Sequence, residues 1–334
     1  MNKTFIFLFS LVTISIYFNY SVFQSHRIQR DLLDQFNSGK LSEEVTAKFK
    51  ITNFDYPNLT ITAIPIKHLL SRYYFLGGDY KKAFELIEEG KKANPYFQLG
   101  NVLKSEYFDK LKINDSMSYY GSLAFENSPR NVRHFMAKMK SVAYKKDIDE
   151  LVRSYRIIEN ESNTNFHLIF LSTLLTFKNI PDSIKLISKE ITKKFPGDIQ
   201  LRVASDMTFY GQENVTKSIE ENRIANEYLN NNKLDKALFH YLNASKYNPE
   251  DYVNYENIGV IYLKKKNFLK AVDFLTRVVN GEVNRPFPLD GKAEYLIGKA
   301  YLEIDNKEEA CGYFLASKNL NNPFGFRFYS ENCK

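Results

Sequence analysis

Tryptophan is absent from this chain of 334 residues, and cysteine occurs only twice. Two cysteines in so long a chain exclude a disulfide-dense small scaffold. Long apolar runs are scarce as well. With 25% charged residues and a mean hydropathy of −0.39, a multi-pass membrane protein is excluded. Site motifs are missing: there is no Gly-x-Gly-x-x-Gly, no phosphate loop, no Gly-x-Ser-x-Gly and no His-Glu-x-x-His. The five histidines, His26, His68, His134, His167 and His240, hold no metal-ligand spacing and read as surface or groove residues. No alternating aromatic and basic stretch marks a nucleic-acid platform. The expectation is a protein that is not an enzyme, takes no cofactor or metal, and binds no nucleic acid.

What is present excludes disorder, because 15% aromatic residues cannot be left in water along a whole chain. The length suggests about two domains and a sizeable core. The net charge of +7 is compatible with an acidic partner or a membrane surface but requires neither. One uncharged run exists, from Thr4 to Phe23. About 20 helical residues span a bilayer core of roughly 30 Å. The run offers no small-x-small cleavage site, and Tyr17, Tyr20 and Phe23 resemble an interfacial aromatic belt. It reads as an uncleaved single-pass anchor, with a cleaved signal peptide as the alternative. Basic residues flank both ends, so the positive-inside rule gives no topology.

Behind the anchor the sequence repeats. Tyr255, Ile258, Gly259, Tyr262, Ala271, Leu275 and Val278 match the tetratricopeptide (TPR) pattern, in which small residues at positions 8 and 20 let two helices approach closely. Counting back 34 residues from 252, Ile224, Ala225, Tyr228, Ala237, Tyr241, Ala244 and Pro249 take equivalent places. Forward, Ile297, Gly298, Tyr301, Ala310, Phe314 and Ser317 repeat the pattern after a loop holding Pro286 and Pro288. Near the start, Leu70, Ser71, Tyr74, Ala83, Ile87, Gly90 and Pro95 do the same. Weaker units begin at 98 (Phe108, Ala124, Pro129), at 132 (Phe135, Met139, Leu151, Tyr155, Ile158) and at about 165 (Leu168, Leu171, Ser172, Leu175, Ile184, Ile191, Pro196). Position 4, often Trp in such repeats, is held by Tyr255 and Phe135 or by non-aromatic residues.

The predicted fold is all-α: a TPR-type α-solenoid of about seven helical pairs in a right-handed superhelix, preceded by one N-terminal transmembrane or signal helix. The expected organisation is an anchor over 1–26 and juxtamembrane helices and linker over 27–63. Repeats one to four cover 64–198, an irregular helix and loop cover 199–217, repeats five to seven cover 218–324, and a cap covers 325–334. Within 27–63 the expected elements are helices over Arg27 to Phe36 and Leu41 to Phe49, then an extended stretch from Pro57 to Pro65. Phe324, Phe326 and Phe328 are expected to cover the last repeat. Lys264, Lys265 and Lys266 read as a solvated turn.

A concave groove lined by first-helix positions 2, 5, 9 and 12 would receive a protein or peptide. Asn222, Asn226, Glu256, Val260, Lys292, Tyr295 and Lys299 are its predicted lining. Some TPR domains grip a terminal carboxylate with Lys and Asn at such places, and Asn226, Asn257 and Lys292 match three of them. Asn222 and Leu296 depart from that pattern. Cys311 in the last repeat and Cys333 in the tail would pair in an oxidising compartment, closing a loop worth roughly 3 kcal/mol.

The front of the chain is more specific. Tyr20 to Ser25 with Gln29, Tyr56-Pro57 through Thr60, Thr62 and Pro65, Asn94-Pro95-Tyr96 and Ser128-Pro129 with Asn131 resemble the last membrane helix and periplasmic TPR tail of bacteroidete O-antigen ligase and polymerase-like proteins. The resemblance implies a bacterial inner-membrane anchor, periplasmic repeats and a role near surface-polysaccharide assembly, with a membrane-bound glycan polymerase or ligase as partner. It also implies an alternative: an accessory or split subunit of such an enzyme, whose catalytic part lies on another chain. The family's catalytic membrane segments have no counterpart in this sequence, so no catalytic residue carries over.

Overall fold

The computed structural model of the chain describes residues 3–38, 56–285 and 287–333. The described residues form helices throughout, with two isolated bridges and no sheet. They divide into two compact units, Met1–Glu161 and Ser162–Lys334.

The first unit holds α1 (Lys3–Ser38), α2 (Ile66–Leu76), α3 (Tyr80–Ala93), α4 (Leu99–Lys110), α5 (Asn114–Asn127), α6 (Val132–Lys145) and α7 (Ile148–Arg156). Instead of an anchor and a separate helix from Arg27, α1 is one uninterrupted helix. Its apolar part, residues 5–20, is exposed on every side. Its second part buries Ser25, Ile28, Gln29, Leu32 and Phe36, a stripe at helical spacing, and packs on α2. Gln29 Nε2 donates to Ser25 Oγ at 3.1 Å, so the two polar members of the stripe satisfy each other. The expected helix over 41–49 lies outside the described residues. The stretch at 57–65 is not extended but folds back on itself. Thr60 N donates to Ile64 O at 2.8 Å, and Ala63 N donates to Thr60 O at 2.9 Å.

Antiparallel pairs follow: α2 with α3, α4 with α5, α6 with α7. The second unit holds α8 (Thr164–Leu174), α9 (Asp182–Lys194), α10 (Ile199–Tyr210), α11 (Gln212–Asn230), α12 (Leu234–Tyr247), α13 (Tyr252–Lys264), α14 (Phe268–Val279), α15 (Lys292–Leu302), α16 (Lys307–Asn319) and α17 (Pro323–Asn332). Here α11 pairs with α12, α13 with α14 and α15 with α16, while α10 packs on both α8 and α9.

The TPR register is visible in the packing. Position 8 meets position 24: a Cβ on Gly259 would lie 2.5 Å from Leu275 Cγ, and one on Gly298 2.7 Å from Phe314. Only a residue without a side chain lets these helices come so close. Ala83, Ala237, Ala271 and Ala310, all at position 20, are fully buried. The backbone repeats as well. Position 15 of six units, held by Gly78, Lys112, Lys146, Asn232, Lys266 and Asp305, takes positive φ at the turn between paired helices. The left-handed residue ends the first helix and lets the chain reverse.

The unit at 165 departs from this register. Asn179, its position 15, is not among the positive-φ residues, and Ser172 is exposed rather than at a helix contact. Phe166, Phe170, Leu171 and Leu174 hold its interior. Residues 212–217 are not a loop but the first turns of α11, separated from α10 by Gly211 alone.

At the end of the chain, α17 covers the last pair. Phe324 stacks on Tyr295 at 5.4 Å between ring centres, and Phe328 meets Tyr295 edge-on at 5.2 Å. Phe326 does not join them; it is exposed, with Lys318 over its ring.

Candidate functional site

The predicted lining residues all lie in the second unit, and most have partners within the fold. Asn226, on α11, accepts a hydrogen bond from Tyr241 OH at 2.7 Å and donates to the backbone carbonyl of Asn222 at 2.9 Å. The side-chain oxygen of Asn222 is buried and has no partner. Glu256, on α13, is buried and paired with Lys292 on α15. That pairing occupies the lysine a carboxylate clamp would use. Tyr295 is covered by α17 instead of lining an open face. Val260 and Lys299 stay half-buried.

An open concavity occurs instead in the first unit. A cavity of about 180 Å³ lies between α2, α4 and α6, the first helices of three successive pairs. Arg72, Phe75 and Leu76 come from α2, Glu106, Asp109 and Lys110 from α4, and Arg133, Met136 and Lys140 from α6. In the repeat register Arg72, Glu106 and Lys140 are position 9, Phe75 and Asp109 position 12, and Arg133 and Met136 positions 2 and 5. These are the predicted groove positions, found in the front repeats rather than the rear ones.

Its floor is aromatic. Phe75 stacks on Tyr107 at 4.0 Å, and Tyr107 OH lies 3.0 Å from Ser71 Oγ. Burial pushes the Tyr107 hydroxyl well above its usual pKa, so it stays protonated. Charges are unevenly matched. Arg133 pairs with Glu106 at 2.9 Å and Lys140 with Asp109 at 2.8 Å. Arg72 and Lys110 have no acidic partner among the described residues and lie over the rings of Phe36 and Phe75. Phe36 of α1 is also approached by Arg133, so α1 contacts two of the cations that line this cavity. The arrangement can hold a carboxylate beside an apolar or aromatic side chain.

Other polar groups are interior. His68, His134 and His167 are buried, not on a surface or in a groove as expected. Asp206 is buried in α10, where its Oδ2 accepts from Asn248 Nδ2 at 2.9 Å. Desolvation raises its pKa. Among the described residues no three His, Cys, Asp or Glu side chains converge as a metal site would need. Lys265 pairs with Asp235, while Lys264 and Lys266 are exposed at their turn. Cys311 and Cys333 come together with their Cα atoms 5.5 Å apart and their sulfurs joined.

The front site escaped the sequence because two of its three repeats, those at 98 and 132, match the pattern weakly. The stripe on α1 was a usable signal, diluted by Ser25 and Gln29.

No family model and no curated protein matches the chain. Among solved structures, a tetratricopeptide repeat protein from Parabacteroides merdae is similar over 80% of this chain and 98% of its own, at 12% identity and a TM-score of 0.36. The APC/C hetero-tetramer Cut9–Hcn1 is similar over 95% of this chain and 55% of its own, at 13% identity and a TM-score of 0.32. Both likenesses are loose, and the fold stands on the helix pairs themselves.

Proposed function

We propose that this chain is a membrane-tethered helical-repeat scaffold, without catalysis of its own, that captures a segment of a partner protein. The cavity between α2, α4 and α6 supports this reading most directly. It is preformed, so binding orders little of the protein. Its aromatic floor with two unmatched cations suits an acidic segment carrying a large apolar residue. The tether is α1, the described helix long and apolar enough to cross a membrane. Anchoring would raise the effective concentration of partners in the same membrane. A place in the bacterial cell envelope, with periplasmic repeats and a part in surface-polysaccharide assembly, rests on the resemblance of the front segments alone.

An array of short peptides varied in charge and aromatic content, probed with the full chain in detergent micelles, tests the site. Binding to acidic, aromatic peptides that falls about tenfold on Arg72→Glu with Lys110→Glu supports it; ion pairs of this kind are worth about 1.5 kcal/mol or more. Binding indifferent to that double change would overturn the assignment.

A further inference from the structure

Along α1 the packing partners advance in step with those along α2. Phe18 meets Tyr56, which precedes α2, with ring centres 5.1 Å apart, whereas Phe36 meets Arg72, well along α2. The two helices therefore run side by side in the same sense. The apolar end of α1 leaves the unit on the side where α2 begins. Two turns lie there. One is the fold-back at residues 57–65, the other is at residues 94–97, and Asn94 Nδ2 ties them by donating to Ala63 O at 2.9 Å.

These turns are unusual in content. No charged residue occurs from Tyr56 to Ile66 or from Asn94 to Leu103. The turns at the opposite end of these two pairs carry Asp79 and Lys112, while at the near end Lys91 and Lys92 precede the second turn and Arg130 sits in the next one along. At the two uncharged turns, Ile61 is 83% exposed and Tyr96 92% exposed, and Tyr56 is 54% exposed beside the apolar helix. Phe18 lies about 7 Å inside the end of the uncharged run at Phe23, at 1.5 Å per residue. It stands between Tyr17 and Tyr20 of the aromatic belt, so a side chain resting on it is level with the boundary between headgroups and acyl chains that such belts occupy.

We propose that the turns at residues 57–65 and 94–97 are a second lipid contact, seating Tyr56, Ile61 and Tyr96 in the headgroup–acyl boundary of the bilayer that α1 crosses. This rests on the reading of α1 as a membrane span. The occupant is lipid because the patch is continuous with the apolar helix through Phe18 and Tyr56. Tyrosines with a few aliphatic side chains are also the composition that settles at that depth.

The absence of tryptophan makes the test clean, since one introduced tryptophan is a unique fluorophore. Ile61→Trp, Tyr96→Trp, Val12→Trp and Ile113→Trp are each made in the full chain. Each is placed in vesicles of phosphatidylcholine and of phosphatidylcholine brominated along its acyl chains. Val12 probes the span, and Ile113 the far end of the same unit. The expected result is about a twofold loss of emission from bromine at positions 12, 61 and 96, none at 113, and protection from aqueous iodide at 61 and 96. Quenching at 12 with none at 61 and 96 would overturn the second contact and leave the span standing. No quenching at 12 would remove the span and this contact with it.

Discussion

The guanidinium carbon of Arg72 lies 4.8 Å from the centre of the Phe36 ring. Arg133 approaches the same ring at 5.3 Å. One aromatic side chain of α1 is thus held between cations from the first and third repeats. Phe36→Ala should lower the stability of the first unit by about 3 kcal/mol, from lost burial and lost cation–π contact. Hydrogen exchange checks it: amides of residues 25–36 should lose protection while those of α13 and α14 keep theirs.

His68 is buried with Nε2 3.0 Å from the carbonyl oxygen of Ile87, and burial holds its pKa down at about 4, against an ordinary value of 6.5. The unfolded chain takes up the proton first. The stability held above pH 6.5 is therefore lost as the pH falls through that window to about 4, a total of about 3 kcal/mol. Urea midpoints of the full chain, measured from pH 7 to 4, should fall accordingly. His68→Gln should flatten the slope; an unchanged slope in the variant assigns the effect elsewhere.

Arg285 reaches from the loop before α15 to Glu294 with both prongs, at 2.6 and 2.8 Å, and both side chains are buried. Arg285→Ala would strand a buried carboxylate at a cost of about 3 kcal/mol. Arg285→Met combined with Glu294→Leu should cost much less, because no charge is left behind. Equal losses in the single and double variants would contradict the pairing.

Lys266 holds the left-handed position of its turn at φ 58°. A side chain there costs about 1 kcal/mol relative to glycine. Lys266→Gly should raise the unfolding midpoint, and so should Lys112→Gly at φ 61° in the other unit. A lower midpoint in both would mean these turns need their lysines.

Cys311 and Cys333, 22 residues apart, tie α17 to α16. Reduction should destabilise the last pair by about 3 kcal/mol on the loop-entropy estimate. Intact mass with and without reductant reads the pairing, and two free thiols in the untreated protein would rule it out.

The helical pairs could be read from the sequence where Gly259, Gly298 and the alanines at position 20 leave one packing solution. The unit at 165 could not. Seven of the ten residues from Phe166 to Leu175 are apolar and they fall on every face, so several helical phases bury similar area and tertiary contact with α10 selects among them. Residues 212–217 are polar with a lone buried Val215, which gives periodicity nothing to mark. The front cavity is assembled by charged residues on three helices, and only their shared register positions betray it. Burial of His68 depends on Gly90, whose missing side chain leaves room for the ring; a Cβ there would lie 2.3 Å from it.

The continuity of α1 has a mechanical meaning. Its 36 residues make a rod of about 54 Å at 1.5 Å per residue, with neither proline nor glycine to act as a joint. Phe5 and Phe36 belong to the same rigid shaft. A torque that tilts the apolar end is delivered undamped to Arg72 and Arg133, and the first three helical pairs swing with it like a blade on its handle.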